Sequence, residues 1–581
     1  MIHPTRLAAL LILAGMVFLC SCLPPEREVK GKIRGEVVIE PGRYVIKSTL
    51  YIEPGAKFVV PAGSEVRLAK GGKIIVEGAF VIRAQASKRV TFKIENFDGF
   101  FVGPGFSGEP TLVTDAYLRL ENCDFLGDWN GALVTGRSSS VVITKSTFTS
   151  AGTRLLNTEG CSVVFEANRV LNREISERDI RAQGASSVRF VANEFAGCSF
   201  TRDSVLLDGR DQLVFDDNLF DRCRFYAGER NVVLGKFGSV RMIGNRVVRC
   251  AFSSDCVGFL VDSYSLLTMA RNRFLHNEAS GSGALLVRAR ARTASIYGNY
   301  FESNKGCSFL AAAGNDVSFE NNWIRYNSRT PLLLSFWGRK GDRPSHLDLL
   351  NCRFRRNAPG SWIGVNAFAL AEVRKNVFAP AEPAADAGPF VVATGNKEFR
   401  FHFNRCEKVN SPEFIRCRVV DRLEASWVDP GNLAPKTELF TVAVTQNDIL
   451  RSRVRLVAAG VAPGKPGVFW RITTNYFYHC DMASFLPYTD GPVGAVVRDN
   501  RFKEIPEILF SQSGKGSRTV IDMNLFKGCP KLVFKSGTSN PRVDFRLVSN
   551  SFESRGMGFT VKKEGEIYMD GNYFNDAVMF E

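Results

Sequence analysis

Through most of the chain, short stretches alternate apolar and polar residues and end on an asparagine, as in "SVVFEAN", "SVRFVAN", "QLVFDDN" and "SVRMIGN". Such alternation sends successive side chains to opposite sides of a β-strand. Helical repeats need apolar spacings of three and four over longer stretches, which these units lack. A second, shorter alternation follows the asparagine, as in "NEFAGCSF" and "NRFLHNEA". It puts an apolar residue two places after the Asn and a Cys or Asn five places after it. With the Asn or its equivalent as register mark, the marks run from Cys123 through Asn193, Asn245, Asn299 and Asn404 to Asn572, mostly 22 to 30 residues apart. A period of that size calls for a stacked repeat. Each unit holds two or three short strands separated by turns. Stacking buries the inward residues and pairs strands between neighbouring units, so the expected fold is an all-β solenoid, a parallel β-helix of roughly twenty coils.

The Asn-x-apolar mark then sits at a corner. Its Asn can bond to backbone and to the Asn of the next coil, while the Phe two places on points inward and stacks on its neighbours. That gives the 46 Phe a place to go. Here the sequence resembles the right-handed parallel β-helix repeat family, with its pectate-lyase-like superfold, over roughly residues 120–575. The resemblance implies a right-handed solenoid and no single activity, because that fold hosts lyases, hydrolases, esterases and non-catalytic proteins. Residues 23–119, with "EPG", "PAG" and "GG" turns, resemble the opening coils of secreted β-helix proteins, with a cap expected at residues 30–60. Residues 120–581 form the Asn-x-Phe repeat, with a loop insertion or degenerate coil near 405–446 and a Pro/Ala-rich loop, "APAEPAADAGP", at 379–389.

The opening residues are of another kind. "MIHPTRLAALLILAGMVFLCSCLPPERE" carries Arg6 in a short leader and an apolar run from Leu7 to Leu19, the length of a signal-peptide core and short for a bilayer span. Its end, "LCSC", resembles a bacterial lipoprotein signal in which Cys22, after the small Ser21, becomes the acylated first residue of the mature chain. Cys20 departs from the Ala, Ser, Thr or Val usual at its position. Leu23 in place of Asp implies, by the sorting rule of many Gram-negative lipoproteins, release from the inner membrane. The expectation is a signal peptide over 1–22 and a monomeric domain held in the bacterial cell envelope, at the outer membrane, by its N-terminal lipid anchor; an ordinary secretory peptide or an uncleaved anchor is the alternative.

Charge and cysteines narrow the partners. The net charge of +16 favours anionic partners, such as acidic polysaccharide, lipid head groups or nucleic acid. The basic residues are scattered with no Lys/Arg block, so nucleic acid is not expected. Fourteen Cys in an exported chain suggest disulfides. However, Cys198, Cys223, Cys250, Cys480 and Cys529 each lie five places after a register Asn, where other coils carry Asn277, Asn304, Asn327 and Asn357. A site shared by Cys and Asn wants a small, buryable side chain, so most of these Cys are packing residues.

Two groups of residues are candidates for chemistry. Asp179, Asp203, Glu229 and Asp255 fall ten or eleven places after the register Asn in consecutive coils, with Arg181, Arg202 and Arg230 close by. Stacked carboxylates repel, and need Arg partners, a raised pKa or a cation such as Ca²⁺. Paired carboxylates serve glycosidases as acid and as base or nucleophile. The β-helix resemblance adds lyases, in which acidic ligands hold Ca²⁺ against a uronate. A solvated turn of compensating Asp–Arg pairs is the plainer alternative. The second group is aromatic: Trp470, Tyr476 and Tyr478 in "VFWRITTNYFYHCDM", and Trp323 and Tyr326 beside Arg325 in "NNWIRYN". Exposed aromatics beside Arg suit a sugar ring and its carboxylate, whereas packing beneath a loop needs neither.

Catalytic signatures are otherwise missing. Polygalacturonases carry "NTD", "DD" and "HG"; this chain has "NTE" and "DD" far apart and no "HG". Its five His form no HxxxH or His–Asp–Ser set, and there is no G-x-S-x-G or P-loop. Three functions stay open: a tethered lipoprotein binding an anionic polysaccharide along its solenoid face, a polysaccharide lyase or glycoside hydrolase using the acidic ladder, and a non-catalytic surface rod.

Overall fold

The computed structural model describes residues 25–107, 115–149, 154–226, 230–281, 283–328, 332–339, 344–358, 361–381, 388–419, 440–459, 467–485, 493–512, 517–536, 544–553, 558–564 and 567–581. Among them there is no helix. Cys22, Glu229, residues 420–439 and residues 382–387 lie outside the described set. The chain divides into two compact units, Met1–Glu194 and Phe195–Glu581.

In the first unit, parallel strands stack coil on coil. Arg27–Glu28 pairs with Arg43–Ile46, which pairs with Glu65–Leu68, and the series continues through Val90–Phe97, Cys123–Trp129 and Thr147–Phe148 to Arg169–Leu171. Within residues 30–60, Gly31–Ile33 pairs with Thr49–Ile52, and Glu36–Val38 with Lys57–Pro61. The EPG-type turns set off whole coils from the start. Inside, Phe92, Phe125 and Phe148 stack face to face at 4.9 Å, the spacing of neighbouring strands.

In the second unit each coil repeats the same positions. One row of strands runs Thr293–Tyr297, Asp316–Glu320, His346–Leu350, Leu370–Arg374, all parallel. The short corner strands form a second row, Arg246–Val248, Arg273–Leu275, Tyr300–Glu302, Trp323–Arg325, Arg353–Arg355. Their central residues, such as Phe274 and Phe301, are buried and stack at 5.0 Å. The interval between Asn404 and Asn447 is one full coil, because Ile415–Arg418 pairs with both Val391–Thr394 and Arg453–Ala459, and Phe440–Thr445 pairs with Glu398–His402.

The corner explains the motif. The residue before the Asn takes a left-handed backbone conformation, as at Arg271 (φ 55°) and Asn321 (φ 55°). That conformation costs a non-glycine residue about 1–2 kcal/mol. The buried Asn offsets it: Asn272 Nδ2 donates to Met242 O of the coil before (2.8 Å) and to Asn299 Oδ1 of the coil after (2.9 Å), and its own N–H donates to that same oxygen (3.0 Å). Four places on, a second left-handed residue (His276, φ 56°; Tyr326, φ 58°) introduces a second ladder, in which Asn277 Nδ2 donates to Val247 O (3.0 Å). Cys250 occupies the equivalent place and its Sγ donates to Phe220 O (3.4 Å). Cys and Asn therefore share the position because both are buried donors to the same carbonyl, as well as being small.

Candidate functional site

Between the two buried ladders, three positions of each coil point outward: the residues one, three and four places after the register Asn. In the coils marked by Asn245, Asn272, Asn299, Asn322 and Cys352, the first of these reads Arg246, Arg273, Tyr300, Trp323 and Arg353, each in register with the next. The side chains form one stack. Arg273 lies over the Tyr300 ring (5.7 Å), Tyr300 stacks on Trp323 (5.9 Å, 19° between planes), and Arg353 lies over the other side of Trp323 (4.6 Å). The third position adds Arg325 and Arg355, and the fourth adds Tyr326, 45% exposed, with Arg356 over its ring (5.6 Å) and donating to its hydroxyl (3.4 Å).

Charge on this face is one-sided. Arg325 pairs with Glu302 (3.0 Å). Arg246, Arg273, Arg353, Arg355 and Arg356 are exposed and have no carboxylate partner among the described residues. Guanidiniums one coil apart repel, by about 1 kcal/mol per close pair even in water, and an anion laid over them converts that repulsion into attraction. Arg forks also match carboxylate and sulfate bidentately.

Residues 112–274 and, overlapping them, 219–324 match the family model described as right handed beta helix region. The fold is a right-handed parallel β-helix. No curated protein matches the chain.

Of the residues expected to form an acidic ladder, Asp179 belongs to the first unit and Asp203 and Asp255 to the second. In the first unit Asp179 is fully buried, and its carboxylate accepts from Arg173 Nη2 (2.8 and 3.1 Å) and from Leu155 N–H (2.7 Å). Burial pushes its pKa up to about 6, against the pull of Arg173. Arg173 in turn lies over the Trp129 ring (4.9 Å). Arg181 donates to Gln183 on its own strand. In the second unit Asp203 sits beside Arg230 (3.6 Å) and Arg202 (3.8 Å), and its N–H donates to Arg230 O. The axial neighbour of Asp203 is thus an arginine. Asp255 is exposed, with its carboxylate set against the Cα of Gly283. Among the described residues, no group of three or more His, Cys, Asp or Glu is placed to hold a metal ion such as Ca²⁺.

The aromatic group divides. Tyr476 and Tyr478 point outward, half-buried, and stack on each other (5.9 Å, 6°), with Lys503 over Tyr478 (4.8 Å). Trp470 is not a surface residue. It is 0% exposed, because Val468, Trp470 and Ile472 are the inward positions of the strand Val468–Thr473. Its indole N–H has no acceptor among the described residues.

Reading along the chain missed the guanidiniums that flank Tyr300 and Trp323; reading down the column after each Asn finds them. It also missed Glu372, whose carboxylate lies between His346 (3.4 Å) and His402 (3.6 Å) and accepts from Arg400 (3.2 Å). Burial lowers the pKa of His402. With Arg400 on Glu372 and Arg374 on Asp348 (2.5 Å), this network is compensated within itself.

Proposed function

We propose that this β-helix is an exported, lipid-anchored protein of the bacterial cell envelope that binds an anionic polysaccharide along the face built by Arg246, Arg273, Tyr300, Trp323 and Arg353. The observation that carries the reading is the stack itself: rings hold guanidiniums outward, and no described carboxylate neutralises them. Ion pairing on a protein surface costs side-chain entropy, and a stacked guanidinium has lost part of it before the ligand arrives. The anchor rests on the leader ending at Cys22.

The test is retention of the mature chain on immobilised acidic polysaccharide, with a neutral glucan as control. Retention that falls with salt, and falls further in an Arg273→Ala/Arg353→Ala variant, supports the reading; equal behaviour on the neutral glucan removes it. Assaying the same mixtures for new reducing ends and unsaturated products separates binding from turnover. For the anchor, Cys22→Ser is expected to release the protein from the membrane fraction.

A further inference from the structure

The same face carries information about its ligand's length. Resting on the polysaccharide reading above, we infer that the ligand is a linear acidic glycan laid parallel to the direction of coil stacking, one sugar per coil, and that at least four sugars are needed to reach both cationic ends of the stack.

Three observations lead there. The outward residues repeat at the inter-strand spacing of about 4.8 Å, close to the advance of one pyranose along an extended glycan. A chain running along the stack stays in step with the rungs, whereas one wrapping around a coil does not. Next, the charges are at the ends. Arg273 and Arg353 flank the uncharged Tyr300 and Trp323, three coil steps apart, or about 14 Å. An acidic sugar on Arg273 therefore places its third successor on Arg353.

The third observation concerns the ring faces. Tyr300 lies between Arg273 and Trp323, and Trp323 lies between Tyr300 and Arg353. Both faces of both rings are covered. Single-stranded nucleic acid is held by bases stacking on free aromatic faces, and this stack offers edges only. Sugar rings are equally denied a face of Tyr300 or Trp323. Selection is by the spacing of anionic groups, and the rings act as spacers that fix where the guanidiniums stand. Carboxylate and sulfate fit the Arg forks alike, so uronate and sulfated glycans are separate arms of the test.

The experiment is calorimetry of the whole mature chain with size-defined oligogalacturonates, from disaccharide to hexasaccharide, and with chondroitin sulfate oligomers of matching length. Once one end is bound, the other binds at a high local concentration. Affinity is expected to be nearly flat for the shortest oligomers and to rise about 10- to 100-fold at the tetrasaccharide. Arg273→Ala and Arg353→Ala, which leave Arg246 at one end and Arg355 and Arg356 at the other, should each cut the rise about threefold or more. Both side chains are exposed, and an unchanged melting curve confirms that the variants fold; Arg353→Lys, which keeps the charge and loses the stacked fork, should lower the step without removing it. A smooth increase with length, or a step that survives both variants, overturns the length reading while leaving polysaccharide binding in place. No binding to any acidic glycan overturns both. Tighter binding to oligothymidylate than to every glycan overturns the ligand class.

Discussion

The guanidinium of Arg353 lies 4.6 Å from the centre of the Trp323 ring one coil before it, and the Trp323 side chain faces Tyr300 on its other side. The two residues are 30 positions apart in sequence and directly in register. A cation over an exposed ring is stabilised by about 0.5–1 kcal/mol. Trp323→Ala is therefore expected to leave the charge count unchanged yet weaken binding to acidic polysaccharide about two- to fivefold at low salt. Titration of the variant beside the wild type checks this; equal affinities would show that the stack does not position Arg353.

Asp179 gives the first unit a pH signature. Its pKa in the folded chain is raised to about 6 by burial, opposed by Arg173 and Arg154. A carboxyl whose folded value exceeds its unfolded value binds its proton more tightly when folded. Its contribution to stability is present at low pH and lost as pH rises through the window from about 4 to about 6, by roughly 3 kcal/mol in all. Urea unfolding of wild type and Asp179→Asn across that window should show the difference between them changing by this order and levelling off above it. Asp179→Ala, which strands Arg173 in the interior, is expected to cost about 3–5 kcal/mol.

The corner ladder predicts a directional loss. In Asn299→Ala, the N–H and Nδ2 of Asn272 lose the oxygen they share, and Met269 O loses its donor. Each stranded buried group costs about 1–3 kcal/mol. Asn299→Asp keeps the acceptor and loses the donor, bringing a buried carboxylate against Met269 O and Asn322 Oδ1. It is expected to melt no higher than the alanine variant, and calorimetric melting of both decides the point.

The cysteines predict silence. All twelve described Cys are buried free thiols. Burial pushes the pKa of Cys352 up to about 12 and those of Cys480 and Cys529 up to about 11. Alkylation requires the thiolate and access to it. Mass spectrometry after iodoacetamide treatment should find these sites unmodified in the native protein and modified in denaturant.

The fold was legible because one local rule repeats: Asn193 and Asn245 mark corners, Phe195 and Val247 fill the interior behind them, and the alternation of "SVRFVAN" is the strand before. The axial partner of Asp203 is harder to read, because counting from the Asn crosses a turn. Asp203 stands ten places on and Glu229 eleven, and in the folded chain it is Arg230 whose carbonyl receives the Asp203 N–H. A single-residue slip there exchanges a carboxylate for a guanidinium. Trp470 was misplaced although the alternation of Val468, Trp470 and Ile472 already pointed it inward. The Arg–Tyr–Trp–Arg stack was missed because its members are far apart along the chain and meet only down a column.

Asn404 donates to Asn447 Oδ1 at 3.1 Å across 43 residues, while Asn299 donates to Asn322 Oδ1 at 3.0 Å across 23. The joint is the same whatever length of chain lies between its two halves. Closing a longer loop adds only about 0.6 kcal/mol per doubling, so coil length is nearly free to drift while the corners stay fixed. The protein is in this sense a display frame. Lengthening the chain between two such asparagines, as between Asn404 and Asn447, is expected to leave the ladder on either side undisturbed, which suits the interval to a fluorophore or epitope tag.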